Sequence, residues 1–438
     1  MDSETSESSK ISFCVERFIN VRHKREKELL VFETLLRSGV FRCCPPSMAA
    51  TSLVYDSSGW SRAVREHARA AFWTINHTGI TREKGAFVRQ MRSVVILGAG
   101  PAGSVAAIAA LAESVPVRIL EKSRHRRHKV CGEFISPEAC GILAELGVWH
   151  QFLRLQPTRI HDCVLHFGRV TKKWTLPESG YGLSRYELDG LLLQRAAALG
   201  ATVSNQVVPN GSFGDHSWAD APEAAGKLGI VLATGRRAAA APGKRLFGFK
   251  AHFEGPADDA VELFFFSGGY VGVSCVEHGI TNVCGIAPES ALHACGFRLD
   301  EFVLRSEALA ERLRPLSRKF KWLTVGPLVY SSNLRSWVDP ITYPAGDALG
   351  FVDPFTGSGI LNALLTGWLS GSAAAQGLSS QGYVARCGAL LAKPYRTSAL
   401  FRGLLDAGCA QHLAALIPGS WLFRLTRVGR LATYRLCA

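Results

Sequence analysis

The sequence predicts an α/β fold, on three observations. A fully apolar run from Val94 to Leu97 meets the turn GAGPAG at 98–103, then the small-residue stretch SVAAIAALAES at 104–114, long enough for about three helical turns. A second β-type run, Val117 to Leu120, follows, so the glycine turn lies between a strand and a helix with another strand behind it. Far downstream, YPAGDALGFVDPFTGSGILNAL at 343–364 repeats the strand-to-helix junction, again punctuated by glycine. Between the two junctions, LFGFKAHFE, AVELFFF, YVGVSCV and TNVCGIA (246–287) read as strands separated by Gly, Pro, Asp and His-Gly turns, the pattern of a mostly antiparallel sheet.

The first junction carries its own chemistry. Gly98 permits the tight turn, Gly100 lets backbone approach a pyrophosphate, and Gly103 lets helix and strand pack closely. Phosphate then meets free N–H groups at the positive end of the helix. Glu121, at the end of the second strand, stands where an acid accepts hydrogen bonds from adenosine ribose hydroxyls. A lone GxGxxG is weak, but strand, helix and acid together read as a dinucleotide site. At the second junction Gly346 and Asp347 end a strand, and an Asp there can bind sugar-like hydroxyls such as those of a ribityl chain. DPFTGSG then leads into a helix whose N–H groups and dipole face what lies before Ile360, in a flavin site the N1/C2=O edge. Two such junctions in one chain point to an extended cofactor, FAD.

Composition agrees with a globular enzyme. The chain has 438 residues, 47% hydrophobic and 20% charged, with 43 glycines, enough for two or three domains. Its net charge is +14, but residues 1–90 hold 14 Lys and Arg against 10 Asp and Glu, and the rest of the excess is spread along the chain. No single basic stripe marks a nucleic-acid surface, so none is expected as a partner. Twelve cysteines at irregular spacing form no CxxC pair and no zinc-type Cys/His cluster, which predicts a reduced, cytoplasmic setting and no metal. Arg92 and the apolar run after it resemble a signal peptide superficially, but the glycines at 98, 100 and 103 serve a phosphate turn. No run of 18 uninterrupted apolar residues is present.

Residues 1–90 stand apart, with an acidic Ser-rich start, a basic VRHKREKE at 21–28 and a CCPP turn, without sustained period. They are expected to be a poorly ordered extension. Met91 immediately precedes the first strand and is the expected start of translation, the alternative being a targeting or regulatory arm. Further on, 140–156 has helical spacing, and 162–176 reads as a hairpin with Gly168 at its turn. Residues 184–200 read as a helix with Ser184 as N-cap, Glu187 in the capping-box position and Gly200 as C-cap. Residues 201–229 read as a loop and weak strand, and GIVLATGRR as a buried strand ending in a glycine turn. Helices are expected over 297–319 and 360–378, and a basic, apolar helical tail over 385–438.

GAGPAG with Glu121 and Lys122, KVCGEFISPEA (129–139), SRYELDGLL (184–192), ATG (233–235) and GDALGFVDPFTGSGI (346–360) together resemble the geranylgeranyl reductase-like branch of the p-hydroxybenzoate hydroxylase-type flavoproteins. The resemblance spans about residues 91–370. It implies a Rossmann-like FAD/NAD(P)-binding domain, discontinuous over 91–161, 182–238 and 336–384, with a substrate sheet domain from 162–181 and 239–335. It also implies that Gly98, Ala99, Gly100, Pro101, Ala102, Gly103, Glu121, Lys122, Gly346, Gly357 and Gly359 hold FAD, that Arg185 lies near it, and that Asp347 binds its ribityl or pyrophosphate portion. Cys131 and Gly132 are implied to approach the isoalloxazine ring, with Cys131 and Glu133 as catalytic candidates and Glu133 facing substrate. The plainer reading of Cys131 is a buried thiol beside a flexible turn.

Archaeal prenyl-lipid reductases carry YxWxFP and flavin halogenases WxWxIP, whereas the corresponding strand here, Gly268–Val273, has neither Trp nor Pro. Halogenation is therefore disfavoured, and the missing YxWxFP counts equally against reduction of a geranylgeranyl chain specifically. Tyr270 of that strand is a pocket candidate, or simply core. The arginines of the tail, Arg396, Arg402, Arg424, Arg427, Arg430 and Arg435, lie among Leu, Phe and Trp, which suits either peripheral membrane contact or, preferably, packing on the chain's own domain. The expected activity is that of an FAD-dependent oxidoreductase acting on a hydrophobic isoprenoid or polyketide-like molecule, by reducing a C=C bond or by hydroxylation. NAD(P)H is the expected transient donor, since no second GxGxxG is intact. A non-catalytic dinucleotide-binding protein is the alternative of another class.

Overall fold

The computed structural model describes residues 93–208, 228–236, 245–266, 268–328 and 339–406, all within the unit 69–438. The expected N-terminal extension, the loop over 209–227 and the tail beyond 406 lie outside the described residues.

A five-stranded parallel sheet is built from β1 (Ser93–Leu97), β2 (Val117–Glu121), β6 (Thr202–Asn205), β7 (Leu228–Leu232) and β14 (Thr342–Pro344), in the order β14-β7-β1-β2-β6. β1 and β7 are almost wholly buried, as near-continuous apolar runs predict for parallel strands covered on both faces. Helix α1 (Pro101–Ala112) follows β1 directly, and ten of its twelve residues are buried. It crosses α8 (Gly359–Gln376) backbone against backbone. A Cβ on Gly367 would fall 2.4 Å from the Ala102 carbonyl oxygen, and one on Gly371 2.1 Å from that of Ala106. The two glycines, four apart on α8, leave the space that the Ala-rich α1 fills.

The second sheet has nine strands. It runs in the order β12 (Ser317–Arg318), β8 (Leu246–Glu254), β11 (Thr281–Pro288), β10 (Gly269–Cys275), β9 (Ala260–Phe266), β4 (Thr158–Phe167), β5 (Val170–Gly182) and β3 (Phe134–Ile135), while β13 (Leu323–Leu328) also pairs with β8. All its pairings are antiparallel except β4 with β9. The two-residue side-chain period splits its residues between two cores. Phe249, Ala251, Phe253, Val271, Val273 and Val283 pack under α5 (Glu289–His293), α6 (Leu299–Leu304) and α7 (Glu307–Leu313). Their alternates, including Gly248, Tyr270, Gly272 and Ser274, line a cavity facing the parallel sheet.

Several boundaries differ from expectation for local reasons. The helix read over 140–156 is two, α2 (Pro137–Glu145) and α3 (Trp149–Arg154), because Gly147 takes φ +72° between them. The single helix read over 297–319 is α6 and α7, separated where Ser306 caps α7 by accepting the Leu309 N–H, and it ends in the edge strand β12. The hairpin is longer than read, 158–182 about Gly168, and β3 joins it from the preceding loop. α4 (Arg185–Ala198) starts at its expected cap, with Ser184 Oγ accepting the Glu187 N–H at 3.2 Å. The tail begins as α9 (Ser380–Asp406), which continues through Pro394. No helix among the described residues is long and apolar enough to cross a membrane.

Candidate active site

The glycine turn forms one end of the cavity. Gly98 has φ +101°, and a Cβ there would stand 2.5 Å from the Ala233 carbonyl oxygen, so the position admits only glycine. A Cβ on Gly103 would fall 1.8 Å from the Gly98 carbonyl oxygen, which is the close strand–helix packing expected of it. Gly100 differs: its Cβ would meet only the ends of Arg185, at 3.6 Å, and Lys129, at 3.9 Å. Gly100 is the N-cap of α1 and supplies no side-chain cap, so the N-terminus of the helix opens on the cavity. Ala99, Pro101, Ala102 and Gly103 form the turn and the first helical residues. Glu121 accepts the Ala99 N–H at 2.8 Å and the Ser123 N–H at 2.9 Å, one on each oxygen, which fixes the carboxylate beside the turn. Lys122 follows it on the cavity wall.

Cations converge on the same place. Arg185 Nε donates to Asp189 Oδ1 at 2.6 Å and its Nη2 to Oδ2 at 3.1 Å, while Lys129 Nζ donates to Oδ2 at 2.7 Å. Burial alone would raise the Asp189 carboxyl, but Arg185 and Lys129 outweigh it and hold it below the usual carboxylate range. Two cations share one carboxylate. One net positive charge is left beside an uncapped helix N-terminus, an arrangement suited to an anion.

The second junction forms the other side. Gly346, at φ +58°, donates its N–H to Thr366 Oγ1 at 2.8 Å and leads to Asp347, whose carboxylate is 3.6 Å from Arg236 Nε. Desolvation raises the Asp347 carboxyl, and Arg236 and Arg185 only partly offset it. The side chain keeps 37% of its surface open on the cavity side. Gly357 takes φ +62° and Ser358 precedes α8, which starts at Gly359; the Ser358 hydroxyl bonds Thr356 Oγ1 at 2.7 Å rather than capping the helix. One turn in, Asn362 lines the cavity with a buried Oδ1 that has no partner. This orphaned acceptor, the open face of Gly100 and the uncapped helix ends fit an extended polar ligand. Such a ligand would be held by both junctions, as FAD would be.

Lys129–Glu133 bridges the two sheets, and Glu133 borders the cavity from a more enclosed position than the sequence reading gave it. The residue is fully buried with φ +57°. Its carboxylate accepts Lys250 Nζ, His252 Nε2 at 2.7 Å and the Arg185 N–H at 2.6 Å, so it turns to β8 and α4 instead of projecting freely at a substrate. Desolvation pushes against ionisation, but the hydrogen bonds and charges of His252 and Lys250 win and hold the carboxyl below its usual range. Cys131 and Gly132 do line the cavity. Cys131 Sγ accepts the Glu133 N–H at 3.4 Å, and a Cβ on Gly132 would meet nothing within 4 Å.

Beyond these polar groups the cavity is walled by Leu165, Trp174, Val261, Leu263, Phe265 and Ile286 of the second sheet. Tyr270 is both pocket and core: it lines the cavity, is 3% exposed, and donates its hydroxyl to Asp353 Oδ1 at 2.9 Å. The cavity volume, about 1650 Å³, exceeds the roughly 300–1,000 Å³ of a site for one small ligand and leaves room for two.

Residues 91–209 match the model of an FAD binding domain family. Digeranylgeranylglycerophospholipid reductase 2 of Methanopyrus kandleri is 30% identical over 320 residues, which cover 65% of this chain and 77% of the relative. The chain belongs to the geranylgeranyl reductase family of FAD-dependent oxidoreductases. Menaquinone reductase of Mycobacterium tuberculosis is 32% identical to this reductase-family chain over a shorter stretch, 25% of the chain and 27% of that protein. Among solved structures, a geranylgeranyl bacteriochlorophyll reductase-like protein of Thermoplasma acidophilum shares the fold with TM-score 0.55 at 18% identity, over 79% of this chain and 92% of that one. A flavin-dependent brominase variant shares it with TM-score 0.62 at 16% identity, over 78% and 95%.

Sequence reasoning missed Lys129, Asp189, Lys250, His252, Asp353 and Arg402 as members of the site's networks. A signal existed for two of them. In LFGFKAHFE, Lys250 and His252 stand two apart on one face of an otherwise apolar strand, and charges there require a buried partner.

Proposed function

We propose that the chain reduces carbon–carbon double bonds in the isoprenoid part of a hydrophobic molecule, with electrons from NAD(P)H carried by bound FAD. One observation carries this reading: the polar half of the cavity, with its two glycine junctions, continues into an apolar half large enough for a second ligand. The reductase relatives support it, since their names specify prenylated lipids and a quinone.

In this reading the Gly98–Gly103 turn, Glu121 and Lys122 take the adenosine and pyrophosphate, with Arg185 and Lys129 supplying positive charge. Asp347 binds ribityl hydroxyls, and the Gly357–Gly359 turn with Asn362 faces the ring's polar edge. Bound FAD supplies two-electron hydride transfer. Cys131 and Gly132 border the ring, Tyr270 fixes the wall behind it, and the apolar strands hold the chain to be reduced and exclude water.

The test is anaerobic. Purified protein should be yellow with flavin absorption, should bleach with NADPH, and should recover its colour when a prenylated lipid or quinone is added, with a product heavier by two hydrogens per double bond. Colourless protein that cannot be reconstituted with FAD overturns the reading. So does rapid NADPH oxidation with oxygen that yields peroxide or a hydroxylated product and no saturated one.

A further inference from the structure

Behind Cys131 and Gly132 lies a cluster of titratable groups that no cofactor-holding role accounts for. Lys250 and Glu133 are fully buried, and His252 is 4% exposed. Glu133 accepts Lys250 Nζ on one oxygen and His252 Nε2 on the other. His128 completes the set. Its ring lies stacked between Phe320 and Tyr186, with centroids at 4.9 and 5.2 Å, and meets the His252 ring edge-on at 4.9 Å. Nδ1 of His128 is buried and without a partner, and one ligand-type atom from each of His128, Glu133 and His252 lies within 4.8 Å of the others.

Two His and a carboxylate at that spacing have the outline of a divalent-metal site. The charge argues otherwise. Lys250 already neutralises Glu133, so a divalent cation would add two positive charges beside a carboxylate that is fully buried and already paired. What the cluster does supply is a path. His128 and Glu133 both line the cavity, His128 is half-buried whereas Glu133 is sealed, and a span of under 5 Å between polar atoms is one that a single water bridges. The other acids of the polar half are already committed: Glu121 to two backbone N–H groups, Asp189 to Arg185 and Lys129, and Asp347 beside Arg236.

A path is needed if the proposed reduction is right, and the inference rests on that reading. NAD(P)H gives up a hydride and becomes NAD(P)⁺, and C=C becomes CH–CH by gaining that hydride equivalent and one proton. Each turnover therefore draws one proton from water to a carbon of the bound chain. We propose that His128, His252 and Glu133, with Lys250 as the fixed countercharge, form the relay that delivers this proton.

The groups facing His128 suit it to the role: His252 and Lys250 from β8, Glu133 from its own segment, Glu277 after β10, and Tyr186 from α4. Burial first, then Lys250 and His252, hold its imidazole below the usual value, so at neutral pH it is a neutral ring able to accept a proton on one nitrogen and release one from the other. Lys250 is a positioning residue, because it keeps Glu133 ionised without facing the cavity.

The experiment compares wild type with His128→Phe, which keeps a ring between Phe320 and Tyr186, and with His252→Gln. Pre-reduced, FAD-loaded protein is mixed anaerobically with the prenylated substrate in H2O and in D2O. The expected result is a single-turnover rate lower by about 10²-fold in each variant, with a larger solvent isotope effect, partial rescue by added imidazole, and unchanged FAD content. NMR titration of wild-type apoprotein should show His128 titrating below the ordinary histidine range, moving upward in Lys250→Met. Unchanged rates and isotope effects in both variants overturn the relay, as does stoichiometric zinc in wild type that is lost in both. Should either variant fold poorly, the wild-type titration decides: a His128 that titrates within or above the ordinary histidine range overturns it. Failure of wild type itself to reduce any prenylated substrate is a distinct outcome, which removes the proposed function and the relay with it.

Discussion

Arg402, on the last described helix, donates from Nε to Asp353 Oδ2 at 2.7 Å and from Nη1 to the Gly268 carbonyl at 3.0 Å. Asp353 opens the turn that leads into α8, and its other oxygen accepts the Tyr270 hydroxyl and the Phe355 N–H. Arg402 is 9% exposed and Asp353 2% exposed. A tail arginine that could have faced water or lipid is thus a bolt through three distant segments.

Breaking this pair strands a buried charge. Arg402→Met should destabilise the protein by about 3–5 kcal/mol, read as a lower urea midpoint at pH 7. Flavin content should fall with it, because the turn before α8 loses its anchor. A midpoint equal to wild type would show that Asp353 needs no cation.

The glycines of the first turn should separate on substitution. Gly98→Ala meets the Ala233 carbonyl and a left-handed φ, so it should cost roughly 1–3 kcal/mol of stability or more. Gly100→Ala has room in the protein and should melt like wild type. It should nevertheless bind FAD at least about tenfold more weakly, about 1.4 kcal/mol, because the methyl group stands where phosphate approaches. Equal FAD titrations for wild type and Gly100→Ala would remove the phosphate role.

Acid should unfold the protein partly through Glu133. Its folded-state value lies below the unfolded one, so between the two the unfolded chain binds the proton that the folded chain refuses. The stability it confers is complete above the ordinary carboxyl range and is lost as pH falls through the depressed value. Unfolding free energies from urea titrations, followed from pH 7 downward, should fall more steeply for wild type than for Glu133→Gln, which should start lower by about 3–5 kcal/mol. Parallel profiles would contradict the assignment.

Filling the apolar half should separate substrate from cofactor. Leu263→Trp, on β9, should leave FAD content unchanged while reducing turnover most for the longest prenyl chains, measured as NADPH consumed per chain length. Uniform loss across lengths would place the chain elsewhere.

Much of the fold was legible because its signals are local. Apolar runs broken by glycine give β1, α1, β2 and β7, and Ser184 with Glu187 gives the start of α4. The errors also have local causes: Gly147 and Ser306 interrupt helical spacing without ending it. The glycine turns and Asp347 were legible because they are contiguous motifs. The Glu133 cluster and the Arg402 bolt were not, since each joins segments more than 40 residues apart through side chains that look solvated in isolation.

The backbone crossing of α1 and α8 has a last consequence. With Gly367 against Ala102 and Gly371 against Ala106, neither helix can slide along the other without a clash of main chains. One helix begins at the first glycine turn and the other at the second, so the crossing sets a calibrated gap between their two starting points. Any ligand that reaches both uncapped helix starts therefore meets them at a separation that the main chains themselves hold fixed.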